Sequence, residues 1–214
     1  MRTISVTGTG IVTVDPDVAT FTVGVMKVAT ELADAQTQVV TALESITKTI
    51  TDAGIDAKDV VTSGYSVNPI ANYDNDGNYI GVKGYEVSSN LTVTVREIDS
   101  VGTLLDSVVT AGANQVWGIS FTVDDPSGPA SQARQAAVAD ARQKADELAT
   151  AAGAVVTGVF SIAETSSPSP KGMEYAAPMA ADSAGNARSV PVSTGSTSIE
   201  VDVLVVFEIE VAAG

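Results

Sequence analysis

The sequence predicts an α+β fold: two βαββ-like units of mainly antiparallel sheet, packed by long helices and joined by a short helix. Three observations carry that prediction. A stripe of small apolar residues recurs at helical spacing through several turns between Ser127 and Gly153. Stretches of apolar–polar alternation, the signature of half-buried strands, precede and follow it. The order strand, long helix, strand, turn-rich excursion, long strand also occurs twice, at Val18–Arg96 and Gln115–Val211.

Taken in order, Ile4, Val6, Gly8, Gly10, Val12 and Val14 alternate with polar residues as a first strand, which Asp15-Pro16-Asp17 breaks. Val18 to Val28 resumes as a second strand with Ala19, Phe21, Val23 and Val25 inward. Thr30 caps a helix whose stripe is Leu32, Ala35, Val39, Leu43, Ile46, Ile50 and Ala53, and Gly54 stops it. A strand at Val60–Val67 leads to a polar, turn-rich segment, Asn68–Gly77. The strand Tyr79–Arg96 follows, with Leu91, Val93 and Val95 on one face. A shorter helix covers Ile98–Ala111 and ends at Gly112. Next comes the strand Gln115–Val123 with the only tryptophan, Trp117.

The long helix buries Ala130, Ala133, Ala137, Ala141, Ala145, Leu148 and Ala152, with Ser127 as its cap, Pro129 in the first turn and Gly153 at its end. Alanine in place of leucine lets such a helix lie close against a sheet. On the other face Asp140–Lys144 and Arg142–Asp146 pair at i,i+4, adding roughly a few tenths of a kcal/mol each. A strand at Val155–Ala163 precedes a long loop, 166–194, that holds prolines 168, 170, 178 and 191. The closing strand is Ser198–Val211. In domain terms, residues 1–96 form the N-terminal strand and first unit, 97–114 the connecting helix, and 115–214 the second unit.

Composition excludes several function classes. The chain has 214 residues, 44% of them hydrophobic, and a mean hydropathy of +0.21, so it folds. With 26 acidic and 11 basic residues the net charge is −15, which argues against nucleic acid as a partner, since phosphates require clustered Lys and Arg. Zero Cys and zero His leave no disulfide, thiol nucleophile, zinc site with nitrogen or sulfur ligands, or histidine base. No apolar run approaches the roughly 20 residues of a membrane span. Met1-Arg2 leads straight into the first alternation, so no signal peptide is expected within this sequence. No cofactor is expected.

Motifs that suggest chemistry each have a plainer explanation. Gly8-Thr9-Gly10 lacks the third glycine of a dinucleotide fingerprint and enters a strand; a twisted or bulged strand explains it better. Asn72 to Gly77 opens like a calcium loop, with Asp74 and Asp76 as the metal candidates, but the twelfth position is Lys83 where a bidentate Glu belongs. A hairpin tip accounts for the same run. Ser45-x-x-Lys48 and Ser88-x-Asn90 lack the Lys-Thr-Gly element of penicillin-binding enzymes. Asp15/Asp17 and Asp124/Asp125 flank prolines as turn formers, and Asn90-Leu91-Thr92 is a glycosylation sequon on a strand. Tyr65, Tyr73, Tyr79 and Tyr85 gather around the first excursion, as aromatics do at contact surfaces. In the closing strand, Val203–Phe207 is an unbroken apolar run. Alternation sends Leu204 and Val206 away from the core, where a helix of this chain or a neighbouring subunit must cover them. Tyr73, Tyr79, Tyr85, Leu204 and Val206 are therefore the candidate oligomer contacts.

Four stretches in order resemble one family. They are ISVTGTG at 4–10 leading into PDVA at 16–19; GY at 84–85 before LTVTVR at 91–96; GAN at 112–114 with GISF at 118–121; and the pattern Ala137, Ala141, Arg142, Lys144, Ala145, Leu148, Ala149, Gly153. Together they resemble the SIMPL-domain family, whose bacterial members include periplasmic immunogenic proteins and an oxidative-stress defence protein. The resemblance implies an α+β fold, export to the envelope once a leader is removed, and assembly into large ring-like homo-oligomers. It carries over no catalytic residue. The expected function is therefore a non-enzymatic, self-assembling periplasmic or cell-surface protein with a link to stress defence. The alternatives are a small-ligand or metal-binding module using the excursion at 68–84, and a cytoplasmic location.

Overall fold

The computed structural model describes residues 2–166, 169–174 and 192–211. Its strands are β1 (Thr3–Val14), β2 (Val18–Ala29), β3 (Val60–Tyr73), β4 (Tyr79–Val95), β5 (Gln115–Thr122), β6 (Ala154–Glu164), β7 (Ser169–Glu174) and β8 (Ser196–Val211). The helices are α1 (Leu32–Asp52), α2 (Val101–Thr110) and α3 (Ser127–Ala151). Helices packed on two separate antiparallel sheets make this an α+β protein.

The strands group by pairing and not by chain order. One sheet runs β1-β8-β6, with β7 also paired to β8; the other runs β3-β4-β2-β5. β1 pairs with β8 in register from Thr3↔Glu208 to Val14↔Thr197, so the first strand of the chain lies beside the last. β5 adds to the sheet of β2. Two compact units result. One takes the chain through Pro16, from Thr122 into β7, and again from Thr194; the other takes Asp17–Phe121. In its own sheet each unit has a strand, a long helix, a strand and a long central strand: β2, α1, β3 and β4 in one, β1, α3, β6 and β8 in the other.

In the unit of α3, the helix sets its alanines directly on β1 and β8. Ala130, Ala133, Ala137, Ala141 and Ala145 form one buried cluster with Val6, Ile199, Val201, Val203, Val205 and Phe207. The approach is close because β1 offers no side chain at Gly8 and Gly10, where the helix crosses it. A Cβ added at Gly8 would sit 2.0 Å from the Ala137 carbonyl oxygen, and one at Gly10 would sit 1.9 Å from that of Ala133. These glycines make room for a helix, and that reason replaces the twist or bulge expected of them. It also explains why β1 fills this place: β5 would bring Trp117 and Phe121.

Several expectations need correction here. Leu148 is 52% exposed and Ala152 is exposed, while Ala149 completes the stripe, because the buried face keeps its i,i+4 step from Ala133 to the end of the helix. Ser127 is the first helical residue and not the cap; its N–H donates to Asp125 Oδ1 at 2.9 Å. Thr30 does not cap α1, which follows Glu31. The segment Asn68–Tyr73, read as a turn, continues β3. Residues 169–174, read as loop, form β7 against Ser196–Glu200, and the part of that loop from 175 to 191 lies outside the described residues. The closing strand β8 is central, paired on both sides.

The other unit packs larger side chains. Phe21, Val23, Val25, Val87, Val93 and Val95 of its sheet meet Ala35, Val39, Ile46 and Ile50 of α1, with Val101, Leu104, Leu105 and Val108 of α2 also buried. The sequon residue Asn90 lies in register between Gly24 on β2 and Gly64 on β3. Its side chain spans both glycines, and a Cβ at Gly24 would meet Asn90 Oδ1 at 2.1 Å.

The closeness of α3 makes a direct prediction. Ala141→Leu overpacks the contact at a cost of about 1–3 kcal/mol, while helix propensity hardly changes. Gly10→Ala, whose new methyl meets backbone that cannot swing aside, costs at least as much. Thermal unfolding of both variants checks this, and two wild-type melting temperatures would refute it.

Candidate functional site

The hairpin of β3 and β4 outruns the sheet that supports it. Pairing of β2 with β4 ends at Ala29↔Tyr85, whereas β3 and β4 continue through Ile70↔Gly84, Ala71↔Val82 and Asn72↔Gly81 to Tyr73↔Tyr79. Beyond Tyr85 the hairpin is a two-stranded ribbon, and such a ribbon is marginal alone in water. It nonetheless carries large apolar side chains in the open: Tyr73 and Tyr79 are each 60% exposed, Ile80 58% and Val82 44%. The two tyrosine rings meet edge-on, with centroids 6.1 Å apart. Tyr85, at the base of the ribbon, is half-buried, and Tyr65 accepts a hydrogen bond from Gln36 Nε2 of α1 at 3.0 Å.

The tip is built by Asp74. Its Oδ1 accepts from the N–H groups of Asp76 at 3.0 Å and Asn78 at 2.8 Å, and its Oδ2 accepts from Asn78 Nδ2 at 3.1 Å. Gly77, at φ +83°, closes the turn by donating its N–H to the Asp74 carbonyl. The hydrogen bonds from the Asn78 backbone and side chain hold the Asp74 carboxyl below its ordinary value. Asp74 and Asp76 thus share a turn in which the first is already a structural acceptor. Among the described residues no three His, Cys, Asp or Glu gather where they could hold a metal.

On the same unit a groove of about 630 Å³ runs between α1 and the β3–β4 pair. Val40, Leu43, Thr47, Lys48, Thr62 and Leu91 line it, with Glu44 and Asp52 on the helix side. Lys48 is ion-paired to Asp52 at 2.7 Å, and Ser45 is exposed beside it. The sequence reading missed this groove. Its signal was Val40, an apolar residue adjacent to the stripe position Val39 and pointing off that stripe.

Leu204 and Val206 occupy the face of β8 turned away from α3, in register with Thr7 and Ser5 of β1 and with Ala163 and Ser161 of β6. Leu204 is 39% exposed and Val206 half-buried.

Sheet edges bear on contact too, and two are closed by side chains. Asp140 Oδ2 of α3 accepts from the Thr9 N–H at 2.8 Å, and Lys144 Nζ donates to the Thr7 carbonyl at 3.1 Å and to Asp140 at 2.6 Å. A carboxylate and an ammonium thereby take the place of the next strand's carbonyl and N–H along β1. Asn114 does the same on β2: its Oδ1 accepts from Met26 N–H and its Nδ2 donates to Met26 O, both at 2.8 Å.

A protein-family profile described as SIMPL, protein of unknown function (DUF541), matches residues 4–207. The 26 kDa periplasmic immunogenic protein of Brucella melitensis biotype 1 is 39% identical over 214 residues, covering 97% of this chain and 84% of that protein. The uncharacterised protein YggE of Edwardsiella ictaluri is 29% identical over 87% of this chain and 79% of its own length. YggE of Escherichia coli K12 is 30% identical over 74% of this chain and 64% of its own length.

The edge clasp gives a pH prediction. The hydrogen bond from Lys144, then that from Thr9, depresses the Asp140 carboxyl. A depressed carboxyl stabilises the fold above its ordinary pKa and loses that contribution as pH falls through the lowered value. Asp140→Asn should therefore be less stable than wild type at neutral pH, by at most about 1 kcal/mol for so exposed a pair. The gap should close as the pH drops below the ordinary carboxylate range. Urea unfolding across pH measures it, and a gap that stays constant down to strong acid refutes the assignment.

Proposed function

This chain belongs to the SIMPL family, and from that premise we propose that it is a non-enzymatic envelope or cell-surface protein that assembles into a ring-like homo-oligomer. One observation carries the reading: among the described residues, a ribbon without a third strand or helix holds Tyr73, Tyr79, Ile80 and Val82 exposed. An apolar projection of this kind is stable and soluble when a partner covers it. A chain without His or Cys offers no imidazole base and no thiol nucleophile, which supports a role in assembly over catalysis. The periplasm is the compartment named for the Brucella relative, and it suits a chain with no thiol to oxidise. The link to stress defence rests on the family resemblance.

Mass photometry at nanomolar concentration, followed by light scattering at tens of micromolar, tests assembly directly. The expected result is one discrete species of several subunits whose population grows with concentration. A chain that stays monomeric throughout that range ends the reading.

A further inference from the structure

We propose that the exposed ribbon of one copy seats in the α1 groove of the next, so that the assembly is built head to tail; this rests on the self-assembly reading above. The two surfaces belong to one hairpin but cannot meet within one chain. Thr62 lines the groove and Tyr73 stands at the tip, and a paired strand that advances about 3.3 Å per residue sets them roughly 35 Å apart. The ribbon of one molecule is therefore available only to the groove of another.

Size and chemistry match. The groove, at about 630 Å³, falls within the few hundred to roughly 1,000 Å³ of pockets that take small apolar groups. Its Val40, Leu43 and Leu91 supply an apolar lining for the Tyr73–Tyr79 pair. Charge adds one match. The ribbon carries Lys83 on one strand and Asp74 and Asp76 at its tip, and the groove carries Glu44 beside the Lys48–Asp52 pair, so Glu44 is the acid available to Lys83 of another copy.

Two tyrosines bury roughly 150–250 Å² each, so with Ile80 and Val82 one docked ribbon falls short of the roughly 800 Å² that each partner contributes to a stable two-body contact. A head-to-tail contact is heterologous, so every copy both gives a ribbon and receives one, which doubles the contacts per copy without any new surface. Such a series forms the ring of the self-assembly reading where the rotation between copies closes it.

The absence of cysteine makes the test clean. Asn75→Cys places a thiol at the tip and Thr47→Cys places one in the groove, and neither removes an apolar side chain from the contact. Treated with a short bismaleimide, the double variant should give a ladder of covalent multimers, while each single variant should give none. In parallel, Val40→Asp should raise the concentration at which the assembly dissociates at least tenfold with an unchanged melting temperature for the isolated chain. If the wild type assembles but the double variant gives no ladder, or if Val40→Asp dissociates at the wild-type concentration, the docking is wrong while self-assembly stands. A wild type that never assembles removes both.

Discussion

The contact between an alanine-striped helix and two bare glycines of a strand governs the unit of α3. Gly8 and Gly10 leave bare backbone beneath Ala133, Ala137 and Ala141, and a single methyl at either glycine would collide with a helix carbonyl. Apolar area per residue is small in such a contact, so its stability comes from close packing along the whole helix. The three basic residues of α3 add to it. Arg134 reaches Glu164 at the end of β6 through Nε and Nη2, Arg142 lies 5.8 Å from the Phe207 ring while pairing with Asp146, and Lys144 reaches the edge of β1. A helix this near the sheet brings its flanking side chains level with the strand backbone, which is what allows Asp140 and Lys144 to act as a substitute strand.

That geometry accounts for how the molecule treats its edges. An unpaired edge is a template for indiscriminate pairing, and proteins close it with charge, bulges or cover. β1 is closed by the Asp140–Lys144 pair, and β2 beyond β5 by Asn114. β6 has register shifts at Val156/Gly158 and Val159/Ser161; β3 has three and contains Pro69; β5 contains Gly118 at φ +69°. With ladders interrupted along each of these edges, an association that uses side chains is favoured over one that adds strands. The ribbon pairs its two strands with each other, and the apolar side chains it exposes are what it adds to a contact.

Most of the fold was legible because its signals are local. Alternation placed β1, β2 and β8, and alanine spacing placed α3 to within two residues of its end. What escaped was long-range. Nothing in the spacing of Gly8 and Gly10 says that their partner is a helix over a hundred residues away, and the same two glycines serve a bulge or a turn equally well. The i,i+4 pair Asp140–Lys144 reads as a solvated helix pair until β1 is set beside it. The turn signal in Asn68–Gly77 was real but confined to its end, because Pro69 and the two asparagines before the tip sit on a strand edge that tolerates them. Of the candidate site, the tyrosines were visible as a cluster, whereas the groove was not, since its two walls come from separate stretches of chain.

The two long helices differ in how they meet their sheets. Helix-to-partner spacing follows the side chains at the contact. α3 rests on alanine over glycine, so its flanks lie low and its charged residues reach strand backbone. α1 rests on Val39, Ile46 and Ile50 over Phe21, Val87 and Val93, and so stands higher. Raised in this way, the helix leaves its flank at Val40, Leu43 and Thr47 separated from Thr62 and Leu91 by open space, which is the groove. The groove in this unit thus follows from the size of the side chains beneath α1.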